Sequence, residues 1–286
     1  MLFNDSFLRT LESLVLLARR LRTGEQAGER PSPRTGASVE FRDYRSYVEG
    51  DDLRSVDWNV YARHGQLHVK QFSAERDLHA WVAVDVSESM GFFGKRDQAL
   101  SLAAAVGYVA LARGDTLSWE AFGEKRLAGG EGLRGKGAGI GFLRALEAAP
   151  AGGRTDLRAA AAPPGASRGL AVVVSDFCDR GAREALHAMR PRGGNVVALH
   201  VVADEELKPA LEGPLRITDS ETGREVDVDA DEATLARYRE ALVARWDALE
   251  AFCAREGMPY RRVLARAPLL DAVAMLLKPG GALARR

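Results

Sequence analysis

From residue 78 onward, short apolar runs alternate with longer segments of helical periodicity, and this alternation restricts the fold more than any other feature of the chain. The apolar runs predict strands at 78–86, 116–122, 169–175, 195–202 and 260–264. Helical patterns fill the gaps at 95–113, 142–149, 183–189, 232–256 and 269–277, and Gly114 and Gly257 stand as stop signals. Strands that are apolar on both sides need cover on both sides, and strand–helix–strand order makes neighbours parallel. The expected fold is α/β, a mostly parallel sheet with helices on both faces. Residues 129–141 are glycine-rich, with 135–141 read as a flexible loop, and segments 215–217 and 225–228 read as the limbs of a hairpin.

Residues 1–76 follow another pattern and predict an N-terminal region of helix, loop and β-hairpin, with the α/β domain over 77–286. Leu8, Leu11, Val15 and Ala18 recur at helical spacing within 6–22, as expected of a helix packed on the body of the protein. Residues 23–38, rich in Gly, Pro, Ser, Thr and Arg, read as a mobile loop. Residues 55–72 read as a hairpin: Val56, Trp58 and Val60 alternate with polar partners, His64-Gly65 turns, and Leu67 and Val69 return. Four acids (Glu49, Asp51, Asp52, Asp57) lie close in sequence to Arg42, Arg45, Arg54 and Arg63. They fit either a local network of ion pairs or a surface that docks a partner, for which Arg45, Asp51, Asp52, Arg54, Asp57 and Trp58 are the candidate residues.

Composition excludes several classes. Hydrophobic residues make up 46% and charged residues 28%, which suits a folded chain of 286 residues rather than a disordered one. Forty basic residues balance forty acidic ones, so the chain lacks the basic excess of a general nucleic-acid binder. Cys178 and Cys253 form no C-x-x-C pair, which suits a reducing compartment. Arg9, Glu12, Arg19 and Arg20 interrupt the leucine-rich start, and no run of about 18 apolar residues exists. The expectation is a cytoplasmic protein with no signal peptide and no direct membrane insertion.

Three segments carry the chemistry. The 78–86 strand ends in Asp85-x-Ser87-x-Ser89; Gly152-Gly-Arg-Thr155-Asp156 makes a tight loop; and the 169–175 strand runs into Asp176. In an open parallel sheet, ligands bind outside the carboxyl ends of strands where the strand order switches. If those two strands are neighbours, the Ser87, Ser89 and Thr155 hydroxyls could hold one ion, with Asp85 and Asp176 bound directly or through water. Hard oxygens of this kind suit Mg²⁺, with Mn²⁺ or Ca²⁺ as alternatives. Three neutral hydroxyls and two acids leave one coordination position for a carboxylate from another molecule.

The Asp85/Ser87/Ser89, Thr155, Asp176 series resembles the metal-ion-dependent adhesion site of von Willebrand factor A domains. A longer match resembles the bacterial family called domain of unknown function fifty-eight: Glu40-Phe41, Arg45-x-Tyr47, Gly50-Asp51-Asp52-x-Arg54-x-x-Asp57-Trp58, Ala62-Arg63 and Val69-Lys70-x-Phe72-x-x-Glu75-Arg76, followed by Asp85-x-Ser87-x-Ser89-Met90. Asp219-x-Glu221-x-Gly223 and the region from Cys253 to Tyr260 fit it too. The resemblance implies a doubly wound von Willebrand factor A-like fold and a non-enzymatic adaptor. It also implies a MoxR-type AAA+ ATPase as partner and a client protein remodelled by the pair.

Two other readings compete. Asp85 could be the nucleophile of a metal-dependent, phosphatase-like hydrolase, but that chemistry wants a second aspartate two residues on, where Ser87 stands. The five histidines (64, 68, 79, 187, 200) are scattered away from the motifs, so no general base is evident. The series from Gly135 to Gly141 lacks the G-x-x-x-x-G-K-[ST] order of a phosphate loop. The third reading is a scaffold whose site is vestigial.

Overall fold

The computed structural model describes residues 2–22, 40–73, 78–160, 169–189 and 195–277. In chain order the elements are α1 (Asp5–Arg22), β1 (Glu40–Ser46), α2 (Trp58–His64), β2 (His68–Ser73), β3 (His79–Asp85), α3 (Lys95–Arg113), β4 (Thr116–Phe122), β5 (Arg126–Arg134), α4 (Gly139–Glu147), β6 (Leu170–Ser175), α5 (Ala182–Ala188), β7 (Asn195–Val202), α6 (Asp204–Leu207), β8 (Gly213–Thr218), β9 (Glu225–Ala230), α7 (Glu232–Arg255), β10 (Tyr260–Leu264) and α8 (Leu269–Leu277). The chain divides into two units: residues 27–77 form the smaller one, and the larger holds 1–26 with 78–286. Helix α1, grouped by sequence with residues 1–76, is thus counted with the larger unit.

The larger unit is built on a six-stranded sheet in the order β10-β7-β6-β3-β4-β5. Every pairing is parallel except β4 with β5. From β3 the chain crosses through α3 to β4 on one side; from β6 it crosses through α5 to β7 on the other. The switch in direction falls between β3 and β6, and in open parallel sheets ligands bind outside the carboxyl ends of the strands at such a switch. Strand alternation divides the core into two layers. Ala80, Val82 and Val84 face the layer of α1, α3, α4 and α8, whereas Trp81 and Ala83 face the layer of α5 and α7. Helix α3 is buried from Gln98 to Leu111, more than the single face its periodicity suggested, because α1, α4 and α8 all pack on it. Leu11 and Leu14 of α1 are fully buried, each stabilising the packing by about 2 kcal/mol.

Two sequence expectations fail here. The 135–141 stretch is not a flexible loop but a 3₁₀ turn (Lys136–Ala138) leading into α4, and the glycine-rich residues before it belong to the antiparallel edge strand β5. The glycines answer to close approach. A Cβ on Gly130 would lie 2.8 Å from Trp119 Nε1, and one on Gly129 2.7 Å from the Trp119 carbonyl oxygen. The second failure is the hairpin of 55–72. Asp57 caps a helix there by accepting the backbone N–H of Asn59 (2.9 Å) and Val60 (3.3 Å), and Gly65 at φ 67° ends it. Capping chemistry outweighs the alternation of Val56, Trp58 and Val60. Strand β2 instead pairs antiparallel with β1, and Val56 keeps only a single bridge to Val69. The predicted loop at 23–38 lies outside the described residues.

Among the described residues no helix is long and apolar enough to cross a membrane.

Candidate functional site

Strand β3 leaves the sheet at Asp85, fully buried, and the chain turns at once into a 3₁₀ segment (Glu88–Gly91). Ser87 occupies the capping position of that segment without using its side chain as a cap. Its hydroxyl instead lies 3.2 Å from Ser89 Oγ and 2.7 Å from Thr155 Oγ1. Thr155 comes from the loop after α4, which is stitched to the strand end: Gly152 N–H donates to the Val86 carbonyl (2.9 Å), and Glu88 N–H to that of Gly153 (3.0 Å). Gly152 and Gly153 take φ 124° and 82°, a backbone that other side chains rarely adopt, so this pair of glycines makes the approach feasible.

Asp85 accepts the Ser87 N–H at Oδ1 (3.0 Å) and the Ser175 hydroxyl at Oδ2 (2.6 Å). Burial, and then the charge of Asp176, push its carboxyl up to about 7 against the opposing pull of these hydrogen bonds. Among the described residues it is a buried acid without a countercharge. Asp176, the next strand's terminal acid, is held differently. Its Oδ2 accepts from Lys95 Nζ (2.8 Å) and its Oδ1 from the Cys178 N–H (3.0 Å). Lys95 also donates to Glu206 Oε1 (2.7 Å), and both Lys95 and Asp176 are almost wholly buried. Lys95 holds the Asp176 carboxyl below the ordinary carboxylate range, overcoming the upward push of burial.

The fold thus brings Asp85, Ser87, Ser89 and Thr155 together and places Asp176 nearby, with both its oxygens engaged by protein donors. Sequence reasoning missed four participants: Lys95, Ser175, Glu206 and Glu221. Glu221, in the turn between β8 and β9, accepts the Thr155 hydroxyl at Oε1 (2.8 Å) and the Thr155 N–H at Oε2 (3.1 Å). A threonine hydroxyl has one proton, and that of Thr155 is shared between Glu221 Oε1 and Ser87 Oγ. A legible signal existed for Lys95: a lysine opens an apolar helix at the end where the dipole repels cations.

Among the described residues no group of three or more His, Cys, Asp or Glu side chains is placed to hold a metal. The donor set is the Asp85 carboxyl and three hydroxyls, with the Glu221 carboxylate bonded to the Thr155 hydroxyl. It fits a hard divalent cation in kind, and the uncompensated Asp85 supplies the physical reason to attract one.

In the smaller unit, Asp51 accepts both terminal nitrogens of Arg45 (2.5 and 2.6 Å), which, with the Val48 N–H, draw its carboxyl down to about 2. Asp52 caps the 3₁₀ turn at Leu53–Ser55 by accepting the Arg54 N–H, and Asp57 accepts the Tyr44 hydroxyl (2.8 Å) besides capping α2. Four of the six partner-binding candidates (Arg45, Asp51, Asp52, Asp57) therefore hold local structure. Arg54 and Trp58 face solvent, Trp58 edge-on to the exposed Tyr61.

A family model described as "Protein of unknown function DUF58" matches residues 43–247. Uncharacterized proteins of Mycobacterium bovis and Mycobacterium tuberculosis are 31% identical over 259 residues, covering 83% of this chain and 79% of theirs. Among solved structures, the conserved hypothetical protein BatB from Bacteroides thetaiotaomicron aligns with a TM-score of 0.38 and 16% identity, over 69% of this chain and 95% of that one. An aerotolerance-related membrane protein from Bacteroides fragilis aligns with a TM-score of 0.36 and 16% identity, over 68% and 94% respectively.

Proposed function

This chain belongs to the family described as Protein of unknown function DUF58, and on that footing we propose that it is a non-enzymatic, cation-dependent protein-interaction module of von Willebrand factor A type. In this reading Asp85, Ser87, Ser89 and Thr155 hold a divalent ion, Mg²⁺ first. The bound ion would supply an open coordination position for an Asp or Glu of a client protein. The module works beside a MoxR-type AAA+ ATPase, which provides the energy for remodelling that client.

One observation carries the reading: a buried acid with no countercharge among the described residues meets three clustered hydroxyls at the switch point of a parallel sheet. Support also comes from what borders it. Phe92 and Phe93, just after Ser89-Met90-Gly91, are 48% and 46% exposed, and Phe93 holds φ 56°. Exposed aromatics kept out by a strained backbone suit a docking rim. The described contacts of Asp85 are hydroxyls and a backbone amide, with no imidazole among them to serve as a general acid or base.

The test is a melt with Mg²⁺ and Mn²⁺. At a hundred times its Kd, the ion should stabilise the wild type by about 2.7 kcal/mol and leave Asp85→Ala and Thr155→Ala unmoved. Equal stabilisation of all three would sink the cation assignment. A pull-down from the native cell should recover an AAA+ ATPase, and chelator should release the client. Phosphatase activity abolished by Asp85→Asn would favour the hydrolase.

A further inference from the structure

We propose that Glu221 is a ligand of the same cation site supplied by the chain itself, so that the β8–β9 turn stands where a partner's carboxylate would dock. This inference rests on the cation reading given above. The turn is built to present Glu221. Asp219 Oδ1 accepts the N–H groups of both Glu221 and Thr222 (2.9 Å each), Gly223 N–H donates to the Asp219 carbonyl (2.8 Å), and Gly223 takes φ 67°. The result is a rigid loop with one carboxylate aimed inward. Both oxygens of that carboxylate fall on Thr155, whose hydroxyl is in turn 2.7 Å from Ser87. Among the described residues no Lys or Arg forms an ion pair with Glu221. A carboxylate set against the Thr155 end of the hydroxyl cluster, with no basic partner among the described residues, is in the position of a ligand awaiting its cation.

The hairpin behind it is weakly held. Its strands are exposed along most of their length, and even Ile217 (44%) and Val226 (48%) face solvent. An element that buries so little opens locally at low cost. A partner's acid can therefore displace Glu221 while the sheet and the other donors stay in place. The hairpin is a built-in competitor: it completes the site at rest and sets a threshold that a client must exceed.

Titration of the full-length chain with Mn²⁺, read by calorimetry and by water-proton relaxation, tests this. Asp85→Asn should abolish binding. Glu221→Gln should bind about tenfold more weakly, since affinity follows ligand charge, and should show higher relaxation per bound ion because water takes the vacated position. In wild type, Mg²⁺ should slow hydrogen exchange of the amides at 213–230; in Glu221→Gln it should not. If Asp85→Asn loses Mn²⁺ but Glu221→Gln matches wild type in affinity, relaxation and exchange, the cation site stands, Glu221 is only a brace, and the inference falls. If wild type binds no Mn²⁺, or Asp85→Asn binds it equally, both readings fall. Glu221→Gln keeps the side chain's shape and an oxygen on Thr155, and a cooperative melt confirms that it folds.

Discussion

Asp85 and Asp176 end neighbouring parallel strands, both are shut away from water, and they carry charge in opposite ways. Asp176 has Lys95 against it and stays ionised. Asp85 has Ser175, the Ser87 amide and the nearby negative charge of Asp176, and its carboxyl rises to about 7. Position at a strand end therefore does not fix an acid's role. What decides it is whether the fold delivers a permanent cation. On the Asp176 side the first residue of α3 does so; on the Asp85 side no described contact brings one, and an exchangeable ion would complete the symmetry.

The largest effect should come from abolishing that difference. Lys95→Met leaves Asp176 and Glu206 facing each other without their shared cation. Loss of one partner from a buried ion pair costs about 3–5 kcal/mol. Urea unfolding at neutral pH should show a fall of this size, shrinking in acid as the stranded carboxylates take up protons. An unchanged midpoint would mean that Asp176 needs no fixed cation, and the contrast with Asp85 would collapse.

One strand further out, His200 of β7 sits opposite Ser175 and gives the comparison a third member. It is buried among Phe177, Trp246 and Tyr260, with Nδ1 2.5 Å from the Tyr260 hydroxyl. Burial lowers its pKa from 6.5 to about 4, against an opposing pull from Asp176. The folded state thus prefers neutral imidazole. Its contribution is complete above 6.5, the unfolded value, and is lost as the pH falls through about 4, on the order of 3 kcal/mol in all. His200→Phe should lower stability at neutral pH by removing the Tyr260 bond, yet flatten the decline between pH 6.5 and 4. A decline as steep as that of wild type would assign acid sensitivity to other groups.

These three strand ends also show what sequence could and could not reveal. Strands β4, β7 and β10 and helices α3 and α8 match their predicted spans because apolar runs, periodicity and glycine stops are local properties. The convergence of Asp85, Ser87, Ser89 and Thr155 was legible because two motifs sat at recognisable strand-end and loop positions. The partners of Asp176 were not, since Lys95 lies 81 positions away from it and 111 from Glu206. Likewise Glu221 meets Thr155 across 66 positions. Such pairs are decided by tertiary packing of single side chains, which leaves no periodic trace. Residues 57–64 misled for the opposite reason: two local signals disagreed, and Asp57 as a cap outweighed the alternation.

The smallest effect should sharpen the comparison most. Ser175 lies between the two acids in sequence and space: its hydroxyl donates to Asp85 Oδ2 (2.6 Å) and accepts the Phe177 N–H (2.9 Å). Ser175→Ala removes one restraint on Asp85 and strands a buried amide, a cost of about 1–2 kcal/mol. The pH dependence separates the two losses. The stranded amide costs the same at every pH, whereas the bond to Asp85 matters more once that carboxyl is ionised, because charged acceptors make the stronger hydrogen bonds. In metal-free protein the deficit relative to wild type should therefore widen as pH rises through about 7, where Asp85 loses its proton. Saturating Mg²⁺ should narrow it again on the cation reading, since an ion stabilises the same charge that Ser175 helps to hold. A deficit indifferent to both pH and Mg²⁺ would leave Ser175 as a turn residue for Phe177, and would remove it from the balance that sets Asp85 apart from Asp176.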